Sequence, residues 1–448
     1  MVDSIEGTPE TIKSEVSVFD QPSFQVTHLK GLWLKVSPTG TYIGTNHQTG
    51  LDFHIDRAEG LYLDLNDSFI VVKFHFADAN LKPYPPYHET NNKDPKRIAL
   101  VNFGLAALFR DVSMRINGTK IEGENHMYAT KAYMYNDLSA GKNAKRYQLQ
   151  VCGWMDDDAN GFDLETNKGH VTRKAWTAFS KPLELAGPLW LDCWMQPQYL
   201  TPDMDIDIHI QRQDPRWCLQ SWEATPDTNI IIDEAALWIR KVTVSPSVRA
   251  GHLKGLETQN ACWHYNGHKI IEHIIPASIL TWTEANIARG MFPKLLVICL
   301  TTGKAAAGDW KLSPFNFVHQ NIQSIGLQVN GSNVPMESYT PDFPNGCCAR
   351  PYLMCFLGLG KSGIHTDDNG LGFADYMGGH TYFVFNLAAD LCLSGHAQPA
   401  RLSNIKCEIK FKEALTEQMN LKVLCVYDTK FEMTQAGVII ADSVQASN

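Results

Sequence analysis

Leu108 to Ile121 reads LFRDVSMRINGTKI, and far downstream Asn321 to Val334 reads NIQSIGLQVNGSNV. The two stretches align without a gap: Val112 falls on Ile325, Met114 on Leu327 and Ile116 on Val329. Apolar residues at every second position send their side chains to one face of a strand. Each run then meets an Asn-Gly step, Asn117-Gly118 or Asn330-Gly331. Asn-Gly accepts positive φ at both positions, which favours the tight two-residue turn of a hairpin. Just upstream, Asn102-Phe103 matches Asn316-Phe317 after a slip of one residue.

Working outward, a second period-two strand follows each turn. In the first copy Ile206, Ile208 and Ile210 alternate with Asp207 and His209; in the second, Ile405, Cys407, Ile409 and Phe411 alternate with Lys406, Glu408 and Lys410. Each copy closes on one more long apolar strand, Leu237 to Val244 and Leu421 to Tyr427. The shared order indicates a duplication, and a repeat this long makes each copy a whole domain rather than one unit of a solenoid. The boundary is expected at Ser245-Pro246, because proline ends a ladder, with Ser247 to Gly255 as the linker. That gives an N-terminal arm over residues 1–22, a first domain over 23–246, a second over 247–433 and a tail over 434–448.

Length and composition agree with two domains. A chain of 448 residues exceeds what one hydrophobic core organises, and 44% hydrophobic against 19% charged residues is enough to fold throughout. A net charge of −9 argues against a surface built for phosphate backbones. No run approaches the ~20 apolar residues that cross a bilayer, and Met1 to Pro22 is acidic, without the basic start and apolar core of a signal peptide. The eleven cysteines form no C-x-x-C pair, so a reducing compartment is expected, with Cys193, Cys407 and Cys425 as small core residues. Helical signals are few, the best running from His126 to Ala140 before Gly141. The fold class expected is all-β, two tandem antiparallel sandwiches with short helices.

Four segments carry a family resemblance: WIRKVTVSPSVRAGH (Trp238 to His252), SPFNFVHQNIQSIGLQVNGSNVP (Ser313 to Pro335), YMGGHTYFVFNLAADL (Tyr376 to Leu391) and KFKEALTEQMNLKVLCVYDTKFEM (Lys410 to Met433). In this order the chain resembles the double jelly-roll major capsid proteins of Polinton/Maverick elements and adintoviruses, relatives of adenovirus hexon. The resemblance runs from about Leu61 to Met433; the first ~25 residues and the Lys82 to Lys96 loop lie outside it. It implies two eight-stranded jelly rolls standing upright in a shell. It also implies homotrimeric, pseudo-hexagonal capsomers of an icosahedral double-stranded DNA virus, with neighbouring capsomers, penton and minor capsid proteins as partners. The expected location is the virion, assembled inside the host cell. The loops Ser139 to Leu185 and Ser338 to Gly379 are expected to form outward towers. The acidic arm is a poor DNA ligand, so no sequence-specific nucleic-acid contact is expected. The segments Met1 to Pro22 and Thr434 to Asn448 are expected to order on assembly.

Three motifs imitate chemistry. Gly358 to Gly363 suggests a phosphate loop, but Cys355 stands where the first glycine belongs and a turn-like His365 to Gly370 follows. Asp156, Asp158 and Asn160 open like a calcium loop, yet position twelve is Asn167 rather than glutamate. His264 and His268 have a metal-like spacing, but Asn266-Gly267 between them reads as a turn. No catalytic, cofactor or metal residue is therefore assigned, and neither metal nor nucleotide is expected to be required. The rival reading is a carbohydrate-binding or carbohydrate-processing β-sandwich, with Trp190, Trp194 and Trp238 as the tryptophans to watch, although their strand patterns suggest core.

Overall fold

The structure, a computed structural model, describes residues 25–84, 96–123, 126–288, 290–361, 368–399, 401–402 and 404–441, together with Glu15, Val18 and Phe19. In the first half run β1 (His28–Val36), β2 (Leu51–Ile55), β3 (Leu61–Ala77), β4 (Ile98–Leu100), β5 (Phe109–Ile116), β6 (Thr119–Glu122), β7 (Leu183–Gly187), β8 (Ile206–Arg212), β9 (Leu219–Ser221) and β10 (Asn229–Val244). In the second run β11 (Ala261–Ile275), β12 (Thr281–Glu284), β13 (Leu295–Thr302), β14 (Ile322–Val329), β15 (Ser332–Tyr339), β16 (Phe383–Asn386), β17 (Ile405–Phe411), β18 (Met419–Met433) and β19 (Ile439–Ala441).

Strand order repeats between the halves. The first half builds the sheets β1-β10-β3-β7 and β2-β8-β5-β6; the second builds β11-β18-β13-β16 and β12-β17-β14-β15. Each pair of sheets is a jelly roll with the same connectivity. Register repeats as well. Val112 faces Ile210, Met114 faces Ile208 and Ile116 faces Ile206. In the second roll Ile325 faces Ile409, Leu327 faces Cys407 and Val329 faces Ile405. All twelve side chains lie inward except the half-buried Val329. Ile206 and Ile405 therefore hold the same topological position, and a one-residue slip would turn either row out to water.

The Asn-Gly turns repeat in detail. Asn117 and Gly118 have φ of 48° and 77°, and Asn330 and Gly331 have 49° and 87°. Each asparagine also clamps its turn to the residue before the facing strand. Asn117 Oδ1 accepts from Asp205 N at 2.8 Å, and Asn330 Oδ1 accepts from Asn404 N at 3.3 Å.

Helices occupy the connections: α1 (Gly104–Ala107), α2 (Tyr128–Ser139), α3 (Lys142–Arg146), α4 (Lys168–Trp176), α5 (Pro215–Cys218), α6 (Pro246–Leu256), α7 (Gly303–Ala307), α8 (Ala349–Leu357) and α9 (Phe373–Met377). Among the described residues none is long and apolar enough to cross a membrane. The segment read as a linker is helical: Pro246 occupies the first turn of α6, where its missing N–H costs nothing. The long loops are not bare either, since α3 and α4 lie in the first and α8 and α9 in the second. Cys193, Cys407 and Cys425 are core residues.

Two expectations meet a different outcome. Asn266-Gly267 makes no turn; β11 runs straight through it, pairing Asn266 with Asp428 and Gly267 with Tyr427. The Asn266 side chain accepts from Lys294 Nζ at 2.6 Å and donates to Leu393 O at 3.2 Å, so it braces the strand instead of bending it. The second concerns the C-terminal segment expected to order only on assembly. Part of it, β19, pairs with the end of β18, after Gly437 turns the chain at φ 76°. Met1 to Ser14, most of Lys82 to Lys96 and residues 442–448 lie outside the described residues.

Candidate assembly seam and its buried ions

The two rolls meet along α2. This helix lies in the connection between β6 and β7, and ten of its twelve residues are buried. One face covers its own roll; the other lies on the outer face of β11-β18-β13. There Tyr133 stacks on Phe315 with centroids 4.1 Å apart and planes at 3°. Met134 Sδ sits 3.9 Å from Cys299 Sγ, and the Tyr135 ring meets His268 edge-on at 5.3 Å.

Two ionic clusters flank this apolar strip. In the first, Lys131 of α2 donates to Glu122 at the end of β6 and, at 3.3 Å, to Asp192. Asp192 reaches across to the second roll, accepting from His268 N at 2.6 Å and lying 2.9 Å from His268 Nδ1. Glu122 also accepts from Asp192 N at 2.7 Å. Burial, with the nearby Asp192 charge, pushes Glu122 up to about 7 against the opposing pull of Lys131. Burial acts on Asp192 in the same sense, but Lys131 and His268 outweigh it and hold its carboxyl below the usual range.

The second cluster centres on Asp137, further along α2. Its carboxylate accepts from Lys145 Nζ at 2.7 Å and from Tyr382 Oη at 2.7 Å, and lies 2.7 Å from His380 Nδ1. Lys145 Nζ also donates to Asn369 O at 2.8 Å. Burial disfavours the Asp137 charge, yet His380 and Lys145 together hold it well below the usual carboxylate range. His380 follows Gly378-Gly379, and both glycines are needed. A Cβ on Gly379, whose φ is +125°, would meet Phe162 at 2.4 Å, and one on Gly378 would meet Asn160 N at 2.7 Å. The sequence Tyr376 to Tyr382 thus joins His268, Cys299 and Phe315 on the second roll's side of the seam.

The imitation motifs are spent on structure. Asp156 accepts from Trp154 Nε1 at 2.9 Å, and Asp158 from Lys168 N at 2.8 Å. Asn160, at φ 59°, donates its N–H to Gly378 O at 2.6 Å. Asp157, between them, pairs with Arg173 at 2.8 Å. Lys361 of the phosphate-loop imitation follows a helix instead of preceding one and donates to Ser139 O and Asp368 O. His264 and His268, being on a strand, do share a face, and border a cleft of about 870 Å³ between the rolls. His268 is committed to Asp192, and His264 Nε2 lies 3.2 Å from Cys262 Sγ. Among the described residues no group of three His, Cys, Asp or Glu side chains is placed to hold a metal ion. Trp190 and Trp194 are core, while Trp238 is half-buried on an outer sheet face.

The sequence reading missed Lys131, Asp137, Asp192 and His380. The one available signal was the paired glycine before His380, a spacing that excludes side chains from a close approach.

The fold and seam define a double jelly-roll chain, two sandwiches joined along one helix. No family model matches the chain. An uncharacterized protein of Caenorhabditis elegans is 20% identical over 413 residues, covering 87% of this chain and 89% of that protein. The chain superposes on the cryo-EM structure of the Sputnik virophage with a TM-score of 0.62 and 11% identity, over 99% of this chain and 94% of that one. It superposes on the Faustovirus major capsid protein with a TM-score of 0.60 and 9% identity (93% and 92% covered). The mavirus major capsid protein gives 0.54 and 12% identity (99% and 96% covered). At such identities the likeness is one of fold, and it extends over both rolls.

Proposed function

We propose that this protein is a structural major capsid protein. Its homotrimers serve as pseudo-hexagonal capsomers of an icosahedral shell around a double-stranded DNA genome. The observation that carries this reading is that nearly the whole chain, both rolls with their seam, shares its architecture with the Sputnik, Faustovirus and mavirus structures. The finer assignment is to the Polinton/Maverick and adintovirus type within the adenovirus hexon lineage, and rests on the four segments quoted above.

The chemistry of the site supports a structural role. The buried ions of the two clusters are engaged within each cluster and by the second roll, as suits a joint rather than a reaction centre. The functional units are an arm over residues 1–22, rolls over 23–246 and 247–433, and a tail over 434–448. Neighbouring capsomers, penton and minor capsid proteins are the partners, and the virion is the location.

Light scattering and electron microscopy of the purified protein test this reading. A trimer has three times 50.2 kDa, or 150.6 kDa, and each pair should bury more than ~2,000 Å². A stable monomer that binds oligosaccharide would overturn it in favour of the carbohydrate reading.

A further inference from the structure

We propose that Lys294 and Asn266 join in an amide bond as the chain folds, so that the second roll carries an internal covalent cross-link. Lys294 is the residue before β13, and Asn266 lies in β11. Asp428, directly opposite Asn266, lies in β18 between those two strands. Lys294 Nζ is 2.6 Å from Asn266 Oδ1 and 2.6 Å from Asp428 Oδ1. The lysine side chain is only 3% exposed. An amine, a carboxamide and a carboxylate thus converge, away from water, where three neighbouring strands meet.

Neighbouring groups hold the three in place. Leu393 O accepts from Lys294 Nζ at 2.9 Å and from Asn266 Nδ2 at 3.2 Å, so one oxygen aligns the amine beside the amide. The second carboxylate oxygen of Asp428 accepts from Gln398 N at 2.8 Å, which leaves Oδ1 to the lysine. The Lys294 backbone is fixed as well: its N–H donates to Val426 O at 2.8 Å, and its carbonyl accepts from Leu387 N at 2.8 Å. An amide in water does not react with a free lysine. Fixed contact in a site closed to water raises the effective concentration of amine at the amide carbon.

The step is a transamidation. Asp428 Oδ1 takes one proton from the lysine ammonium, and the freed electron pair on Nζ adds to Cγ of Asn266. Asp428 hands that proton to Nδ2 and accepts a second from Nζ. The Cγ–Nδ2 bond breaks, and Nδ2 leaves with its electron pair as ammonia. The third Nζ proton stays on the new amide. Departing ammonia takes the proton held by Asp428 and leaves as ammonium, which restores the carboxylate. Nothing is oxidised or reduced, and the event occurs once in each chain, without turnover. Its product ties β11 to β13 across β18.

Mass spectrometry of the full chain tests this. Folded wild-type protein should be lighter than its sequence mass by one ammonia. Chain recovered from inclusion bodies in denaturant should have the full mass and lose the ammonia on refolding. Trypsin should release one branched peptide, with residues 255–269 joined through Asn266 to residues 290–304 through Lys294, which is then no longer a cleavage site. Asp428→Asn should keep its full mass, and so should Lys294→Arg, which preserves the charge. The branched peptide is read on the wild type, so the test stands even where a variant fails to fold. Full mass in the folded wild type, or an ammonia lost without the branched peptide, overturns the proposal. So does a water lost with Lys294 joined to Asp428, and a cross-link that persists in Asp428→Asn overturns the role given to that carboxylate.

Discussion

α2 and α8 occupy the same connection in two copies of one fold, yet they have diverged in opposite directions. α2 carries Lys131, locked by two carboxylates of its own roll, and Asp137, locked by Lys145 on one side of the seam and His380 on the other. α8 carries Leu353 and Leu357 facing outward. A contact between rolls of one chain forms once, as the chain folds, and can use buried charges whose geometry is fixed. α8 buries no charged residue and leaves its leucines at the surface. By contrast the rows Val112–Ile210 and Ile325–Ile409 have scarcely changed. The two rolls share their barrel register and differ in the helices that fill their equivalent connections.

The hardest test of that equivalence is a charge in the conserved rows. Ile210→Asp and Ile409→Asp each bury an unpaired carboxylate at a fully buried position, a cost of several kcal/mol. Both should abolish soluble expression equally. One roll tolerating the change would show that the two cores are not equivalent. Next comes the divergence itself. Tyr133→Ala should lower the stability of the chain by about 3–5 kcal/mol, through the cavity left at a fully buried position and the lost stack on Phe315. Leu353→Ala should move a monomer by less than about 0.5 kcal/mol. Denaturant titration reads both.

A third test is pH. Glu122 is raised to about 7 in the folded chain, so its contribution is full below the unfolded value near ~4.3 and is lost as pH rises toward 7. The loss is on the order of 3 kcal/mol. Glu122→Gln should flatten the stability profile between about pH 5 and 8. An unchanged slope would mean that Glu122 keeps its charge there. The smallest effect separates the two hairpin turns. Asn117 Nδ2 donates to Gly437 O at 2.8 Å and to Asp203 O at 3.3 Å, bonds with no counterpart at Asn330 among the described residues. Asn117→Ala should therefore cost about 1 kcal/mol more than Asn330→Ala.

What the sequence disclosed follows the range of the interactions involved. The paired rows and Asn-Gly turns were legible because period two and positive φ are properties of neighbouring residues. The course of β11 was misread at Asn266-Gly267, because what holds that asparagine straight is Lys294, on another strand's approach. The seam was invisible for the same reason. Asp137 looks like a surface residue of a helix until His380 arrives from the other roll. The helical linker was missed because proline was read as an end of strand and not also as a start of helix.

The two ionic clusters have a mechanical meaning. They grip the second roll at two separate points, Asp192 on His268 and Asp137 on His380, like two bolts through one plate, so sliding or twisting of one roll against the other would break one of them. A chain joined this way is a stiff tile. Tiles of fixed shape cover a curved surface only by changing the angles at their edges. Compliance then resides in the grout, the contacts between copies, and a shell of any radius would draw its curvature from there.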